Sequence, residues 1–235
     1  MGVLDRFETF VRTMRGFESI DELLKGVRRD GKKRADYLLW DRQVIAEQKV
    51  LVADPLDKPQ KFVNRLMEDG RIIVYGKRST DAIFDGMPDG QKLKREMYLS
   101  ITKSLEDSVA YADKQTRDTR EQFGIPEATG ILVILNESAP TLSPDLVLYG
   151  LHHAFNRKCE DGFFRYRNND GVVVISGVHP MKGLMGSGMS CFSAVNPQPR
   201  SAAVFSEFSS ELLDKWAAFN GVPRVRYTID ESSGA

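Results

Sequence analysis

Three charged residues, Asp36, Glu47 and Lys49, stand in a stretch that otherwise has the pattern of two β-strands. Residues 34–51, RADYLLWDRQVIAEQKVL, contain two apolar runs separated by a polar trio, which predicts a tight antiparallel hairpin. Glu47 and Lys49 are two apart and therefore project from one face, and the paired strand can bring Asp36 onto that face. Because desolvating an ionised group costs several kcal/mol, such a cluster requires ionic partners or a metal.

An ordinary surface is the alternative interpretation of the same three residues. On an exposed hairpin face they would form simple ion pairs, each contributing roughly 0 to 1 kcal/mol. The elements that surround the hairpin decide between the two interpretations.

The composition predicts a folded protein without a membrane partner. The 235 residues are 41% hydrophobic and 28% charged, and the 33 basic and 33 acidic side chains balance, which excludes a uniformly basic surface. No apolar run approaches the roughly 18 residues of a membrane span, and the first residues lack the apolar segment of a secretion signal, so we expect a cytoplasmic protein. Cys159 and Cys191 are isolated, which is typical of reduced thiols.

Periodicity and breaks in the sequence predict an α/β protein, with a mixed central β-sheet flanked by helices. The predicted helices are residues 3–15, a short one after a capping box at 19–22, 59–68, one long rod over about 93–123, 143–157 and 209–219. Beyond the hairpin, the predicted strands are residues 71–75, 131–135, 172–175 and 224–228. Two loops are predicted, at 76–90 and, rich in glycine, at 179–190.

The hairpin resembles the metal-binding hairpin of the PD-(D/E)XK nuclease superfamily, in which an Asp and the Glu of a Glu-x-Lys bind a divalent cation. The resemblance covers about residues 17–52 and 92–137. It implies one domain with a restriction-endonuclease-like core (about 17–52 and 92–177), a helical and strand insertion (about 54–90) and a C-terminal helix and strand (205–230). In one respect the sequence departs from that core, since no strand is predicted between the helix near Leu23 and the strand holding Asp36.

The resemblance implies a metal-dependent nuclease that hydrolyses phosphodiester bonds, with DNA as the expected substrate. Asp36, Glu47 and the backbone carbonyl of Gln48 would bind Mg²⁺ or Mn²⁺, and Lys49 would hold the attacking water or stabilise the oxyanion. Four further residues match auxiliary positions of the superfamily: Glu18, Glu22, Gln115 and Lys114. For Glu22 helix capping is the alternative role, and for Gln115 and Lys114 the alternative is a solvated helix face.

Six cations fall within residues 25–34, and a local positive lobe of this kind suits contacts with phosphates. They are Lys25, Arg28, Arg29, Lys32, Lys33 and Arg34. A solvated charged turn is the alternative for this segment. For the whole chain, the alternative is a catalytically inactive nucleic-acid-binding or protein-interaction domain on the same scaffold. A homodimer would help a nuclease to cut both strands, although the sequence indicates no interface.

Overall fold

The computed structural model describes residues 2–26, 31–76, 78–183, 186–222 and Arg224. Its elements in chain order are α1 (Val3–Val11), β1 (Glu18–Ser19), α2 (Ile20–Leu23), β2 (Tyr37–Leu39), β3 (Val44–Leu51), α3 (Lys58–Glu68), α4 (Thr80–Phe84), α5 (Gly90–Ile101), α6 (Lys103–Phe123), β4 (Thr129–Asn136), α7 (Pro144–Phe155), β5 (Gly171–Gly183), β6 (Gly186–Val195) and α8 (Ala202–Phe219). Among the described residues, no helix is long and apolar enough to cross a membrane.

The strands form one mixed sheet in the order β1-β2-β3-β4-β5-β6. The first three strands are antiparallel to one another, β3, β4 and β5 run parallel, and β6 returns antiparallel to β5. Helices separate the parallel strands, as parallel connections require. The α/β class and the mixed, helix-flanked sheet that the sequence predicts are therefore confirmed.

Each face of the sheet is covered by a separate helical layer. One face packs against α1 and α8, where Phe7, Phe10 and Trp216 are buried. The other face packs against α5, α6 and α7. Because it lies between both layers, β4 is buried along its whole length, which explains its unbroken apolar sequence.

A left-handed turn closes the β2–β3 hairpin. Trp40, Asp41 and Arg42 have φ values of 52°, 53° and 66°, a conformation that costs non-glycine residues energy. Contacts with earlier parts of the chain hold it in place. The N–H of Trp40 donates to the carbonyl of Arg15 at 2.8 Å, and the Arg42 guanidinium forms two hydrogen bonds of 2.7 Å with the Glu18 carboxylate.

A buried ion pair fixes the end of α6 to the sheet. Arg120 Nη2 lies 3.0 Å from Asp170 Oδ2, and Arg120 Nε donates to the carbonyl of Ala128 at 2.8 Å. The same Asp170 oxygen accepts the N–H of Gly130 at 2.6 Å, and its other oxygen accepts the N–H of Arg200. One carboxylate thus joins α6, β4, β5 and the segment before α8.

The predicted long rod was wrong, because α5 and α6 are separate helices that meet at Thr102. The Thr102 hydroxyl donates to the carbonyl of Tyr98 at 2.9 Å, a back-bond that competes with the helical ladder. Helix α7 packs closely here, since a Cβ on Gly150 would lie 2.6 Å from the Thr102 side chain.

Four further predictions were wrong or fall outside the described residues. Residues 71–75 form no strand, and the predicted 76–90 loop contains α4. The glycine-rich 179–190 segment contributes to the β5–β6 hairpin, with a register shift between Ser176 and Pro180. Glycine is depleted in strands, so this glycine-rich sequence carries little strand signal. The predicted strand at 224–228 lies outside the described residues apart from Arg224.

Candidate active site

The hairpin register places Asp36 opposite Glu47. Tyr37 pairs with Ala46 and Leu38 with Ile45, so one further step along both strands pairs the two acids. Asp36 Oδ2 accepts the N–H of Gln48 at 2.7 Å, which fixes its carboxylate beside β3. Each carboxylate also affects the pKa of the other. The two predicted acids therefore converge on the sheet face that α6 covers.

Glu47 is a buried carboxylate that forms an ion pair with Lys49. Its side chain is 1% exposed, and neither oxygen has a partner in hydrogen-bonding geometry. Lys49 Nζ lies 2.5 Å from Oε1 as an ion pair, and the Lys49 side chain is 34% exposed, so the site reaches solvent on the lysine side. Burial, and then the Asp36 charge, raise the pKa of Glu47 to about 7, against opposing effects of Lys49 and Gln115.

Helix α6 adds Gln115 to the acid pair. Its Nε2 donates to the carbonyl of Arg34 at 2.8 Å, while its Oε1 is buried and has no partner. The amide lies close enough to Glu47 to lower the pKa of that carboxyl. One turn further along, Thr119 Oγ1 accepts the N–H of Ala35 at 3.0 Å. The helix therefore binds the segment that leads into Asp36, and of the four auxiliary residues Gln115 reaches the acids.

The other three auxiliary residues have different surroundings. Glu18 lies on β1 and pairs with Arg42 at the hairpin turn. Ser19 caps α2, since its Oγ accepts the backbone N–H of Glu22 at 3.4 Å, whereas the Glu22 carboxylate lies 3.3 Å from the exposed Arg12. Lys114 is exposed on α6.

Asp21 lies between Glu18 and Glu22 in the chain and was not among the predicted site residues. Burial raises the pKa of Asp36, and the charge of Asp21 adds to this shift against the opposing effects of the Gln48 N–H and Lys49. The N–H of Ile20 donates to the carbonyl of Asp36 at 3.0 Å, so the start of α2 is held beside the acid. The capping box predicted that helix start, but the pairing of β1 with β2, which brings it here, involves only two residues.

The side chain and the backbone N–H of Gln48 bind residues on opposite faces of the hairpin. Its side-chain Oε1 accepts the Tyr37 hydroxyl at 3.1 Å, whereas its N–H binds Asp36. In a strand the N–H and C=O of one residue point to the same side, so the Gln48 carbonyl also faces the Asp36 side of β3. This orientation suits the carbonyl as a third oxygen donor.

The last three cations of the basic segment lie along α6. Lys32 pairs with Glu121 at 3.3 Å, Arg34 hydrogen-bonds Gln122, and Lys33 Nζ lies 4.9 Å from the ring centroid of Tyr111. Lys25 is exposed after α2, and Arg28 and Arg29 lie outside the described residues. Residues 32–34 are therefore held on the helix that also supplies Gln115.

The candidate site offers few metal ligands. Within the described ranges, no group of three or more His, Cys, Asp or Glu side chains could hold a metal ion. Asp36, Glu47 and the Gln48 carbonyl offer two carboxylates and one carbonyl, which suits Mg²⁺ because this ion keeps several waters and is bound through one or two carboxylates plus substrate. Comparison of the chain with protein-family models, curated proteins and solved structures finds no match.

The Glu47 pKa predicts how stability changes with pH in the metal-free protein. A folded pKa of about 7 exceeds the ordinary value of 4.5, so the stabilisation from protonating Glu47 is complete below pH 4.5 and is lost as pH rises through 7. Glu47→Gln removes this loss. We expect the free energy of unfolding of the variant, relative to wild type, to rise by about 2 to 3 kcal/mol from pH 4.5 to pH 8.

Urea denaturation in EDTA across this pH range measures the difference. Glu160→Gln, at an exposed position in the α7–β5 connection, is the control and should keep a constant difference from wild type. A pH-independent difference for Glu47→Gln would show that folding leaves the pKa of Glu47 unchanged.

Proposed function

We propose that this chain is a divalent-metal-dependent nuclease that hydrolyses phosphodiester bonds in DNA. The observation that carries the proposal is the convergence of two largely buried carboxylates, Asp36 and Glu47, beside one lysine, with Lys49 ion-paired to Glu47 Oε1. When both carboxylates are ionised, one ammonium offsets only part of their charge, and an uncompensated buried charge costs free energy. A bound cation would offset the rest.

The donor atoms fit Mg²⁺ or Mn²⁺. Asp36, Glu47 and the Gln48 carbonyl would hold the ion, and all three are hard oxygen donors. When bound, the cation would lower the pKa of a water and offset the negative charge that develops on the phosphate. The partial exposure of Lys49 leaves a route by which a phosphate can reach this group.

The remaining side chains would position the reacting groups. The Lys49 ammonium would orient the attacking water or stabilise the charged phosphate oxygens, as donors aimed at developing charge do. Gln115 Oε1, buried and unpartnered, would accept a hydrogen bond from the same water. The water oxygen would form a bond to phosphorus while one of its protons passes to solvent, the bond to the leaving oxygen would break, and that oxygen would leave with a proton from solvent.

The order of elements also supports the proposal. Helix α1, the antiparallel strands β1 to β3, helix α6 and the parallel strand β4 follow the order of the resembled superfamily core: a helix, a three-stranded meander, a helix and a fourth strand. In this alignment the first core helix is α1 instead of the helix near Leu23. The first strand of that core, which was not predicted from the sequence, corresponds to β1, which precedes α2.

Thermal unfolding with Mn²⁺ tests whether the cation binds. Because a ligand that binds only the folded state stabilises it by about 2.7 kcal/mol at 100 times Kd, we expect the wild-type Tm to rise by about 5 to 10 °C at saturation. Asp36→Asn should lose most of this rise, since it removes one anionic ligand. The surface variant Asp107→Asn should keep it. An unchanged wild-type Tm in millimolar Mn²⁺ would contradict the proposal.

An inactive binding domain is the second candidate, and the close Lys49–Glu47 ion pair favours it. At 2.5 Å the ammonium already compensates the buried carboxylate in part. For such a protein, Mn²⁺ would leave the Tm unchanged while DNA binding persisted. The same Tm measurement, combined with a DNA-binding assay, therefore separates the two functions.

A further inference from the structure

Tyr111 joins the two chain segments that build the candidate site. It lies on α6 one turn before Gln115, and its side chain is 51% exposed. Lys33 Nζ lies 4.9 Å from its ring centroid, and Lys33 is three residues before Asp36 in the chain. An aromatic ring with a large accessible surface therefore stands one helical turn from Gln115.

Two cations accompany the ring. Lys33 contacts it directly, and Lys114 is exposed three positions after Tyr111, a spacing that places neighbouring side chains on one side of a helix. An exposed aromatic ring beside cationic side chains is the combination by which proteins bind single-stranded nucleic acid, since the ring stacks on a base and the cations contact phosphates. The ring lies on the helix that presents Gln115 to Glu47, so a stacked base would be close to the scissile phosphate.

We propose that Tyr111 stacks on an unpaired nucleobase, so that the preferred substrate is DNA with a single-stranded segment next to the bond that is cut. The inference rests on the proposed nuclease function and specifies its substrate class. A base within a duplex already stacks on both sides, and exposing one face to Tyr111 would require unstacking that costs a few kcal/mol. Unpaired bases avoid this cost.

A structural clasp is the competing role for the Lys33–Tyr111 contact. The ring could serve only to hold the segment before Asp36 on α6, in which case its removal would disturb the site for every substrate. A stacking role predicts a loss confined to single-stranded DNA. The ratio of single-stranded to duplex affinity therefore separates the two roles.

Fluorescence anisotropy measures both affinities. A labelled single-stranded oligonucleotide and the duplex of the same sequence are titrated with protein in EDTA, which prevents cleavage. We expect Tyr111→Ala to weaken single-stranded binding about tenfold and duplex binding less than about twofold, a size in keeping with one base–aromatic stack. Tyr111→Phe should bind as wild type does. Tyr75→Ala, which removes an 83% exposed tyrosine from the unpaired 71–75 segment, is the matched control.

Each other result overturns the inference. Equal losses on both DNAs would assign Tyr111 to the clasp, and wild-type binding by Tyr111→Ala, or no binding of single-stranded DNA by wild type, would exclude stacking. If the proposed nuclease function is wrong but the inference is right, Tyr111-dependent binding of single-stranded DNA would persist while neither Mg²⁺ nor Mn²⁺ supported cleavage.

Discussion

Glu47→Ala is expected to abolish metal-dependent cleavage of DNA, with a loss of at least about a thousandfold in rate. The carboxylate is proposed to bind the cation, and a bound cation contributes several kcal/mol of transition-state stabilisation. Asp36 cannot replace it, because Asp36 is already a ligand of the proposed site and its carboxylate is oriented by the N–H of Gln48. The measurement is the initial rate of cleavage of a labelled oligonucleotide in Mg²⁺ and in Mn²⁺.

The fold should survive this substitution. Alanine removes a buried carboxylate whose ion-pair partner, Lys49, is partly exposed and can be hydrated, so the circular dichroism spectrum and the midpoint of urea unfolding should stay close to their wild-type values. Glu160→Ala is the control and should cleave at the wild-type rate. Cleavage by purified Glu47→Ala protein at more than about one-tenth of the wild-type rate would remove Glu47 from the mechanism.

Asp170→Ala should produce the largest loss of stability, about 3 to 5 kcal/mol. Asp170 is fully buried, and its removal leaves the Arg120 guanidinium buried without its counter-charge and two backbone N–H groups unpaired. Burial raises the pKa of Asp170, and burial, followed by the charge of Arg200, lowers that of Arg120 to about 10. A raised pKa for the acid and a lowered pKa for the base both mean that burial disfavours the charged form more than the partner favours it. Removing one partner would therefore leave the other charge buried at a high cost in free energy.

Urea denaturation at pH 7 measures the loss. Asp107→Ala, which breaks the exposed pair with Lys103 on α6, should cost at most about 1 kcal/mol. Equal effects of the two substitutions would show that the Arg120–Asp170 pair contributes no more than a surface pair.

The hairpin could be predicted from the sequence because the patterns that specify a hairpin lie within a short stretch of chain. Apolar runs, a polar turn and a two-residue period determine which side chains share a face, and the paired strands then bring Asp36 and Glu47 together. The burial of Glu47 could not be predicted in the same way. It depends on the packing of α6 against β3, and these elements are far apart in sequence.

The errors occurred where tertiary contacts override local preference. The 71–75 segment has the residue types of a strand, yet it stays unpaired in the described structure, where it follows α3 outside the sheet. The break at Thr102 has a regular helical period on both sides, and the close approach of Gly150 is visible only in three dimensions. Asp21 was missed for a similar reason, because its proximity to Asp36 follows from the pairing of β1 with β2.

The left-handed turn at Trp40, Asp41 and Arg42 limits how this hairpin can change during evolution. Because its contacts fix where the two strands reverse direction, the number of residues between each acid and the turn determines the face that the acid occupies. One residue gained or lost on either side would send one carboxylate to the α1–α8 layer. The strand lengths on both sides of the turn are therefore as constrained as the identities of the acids.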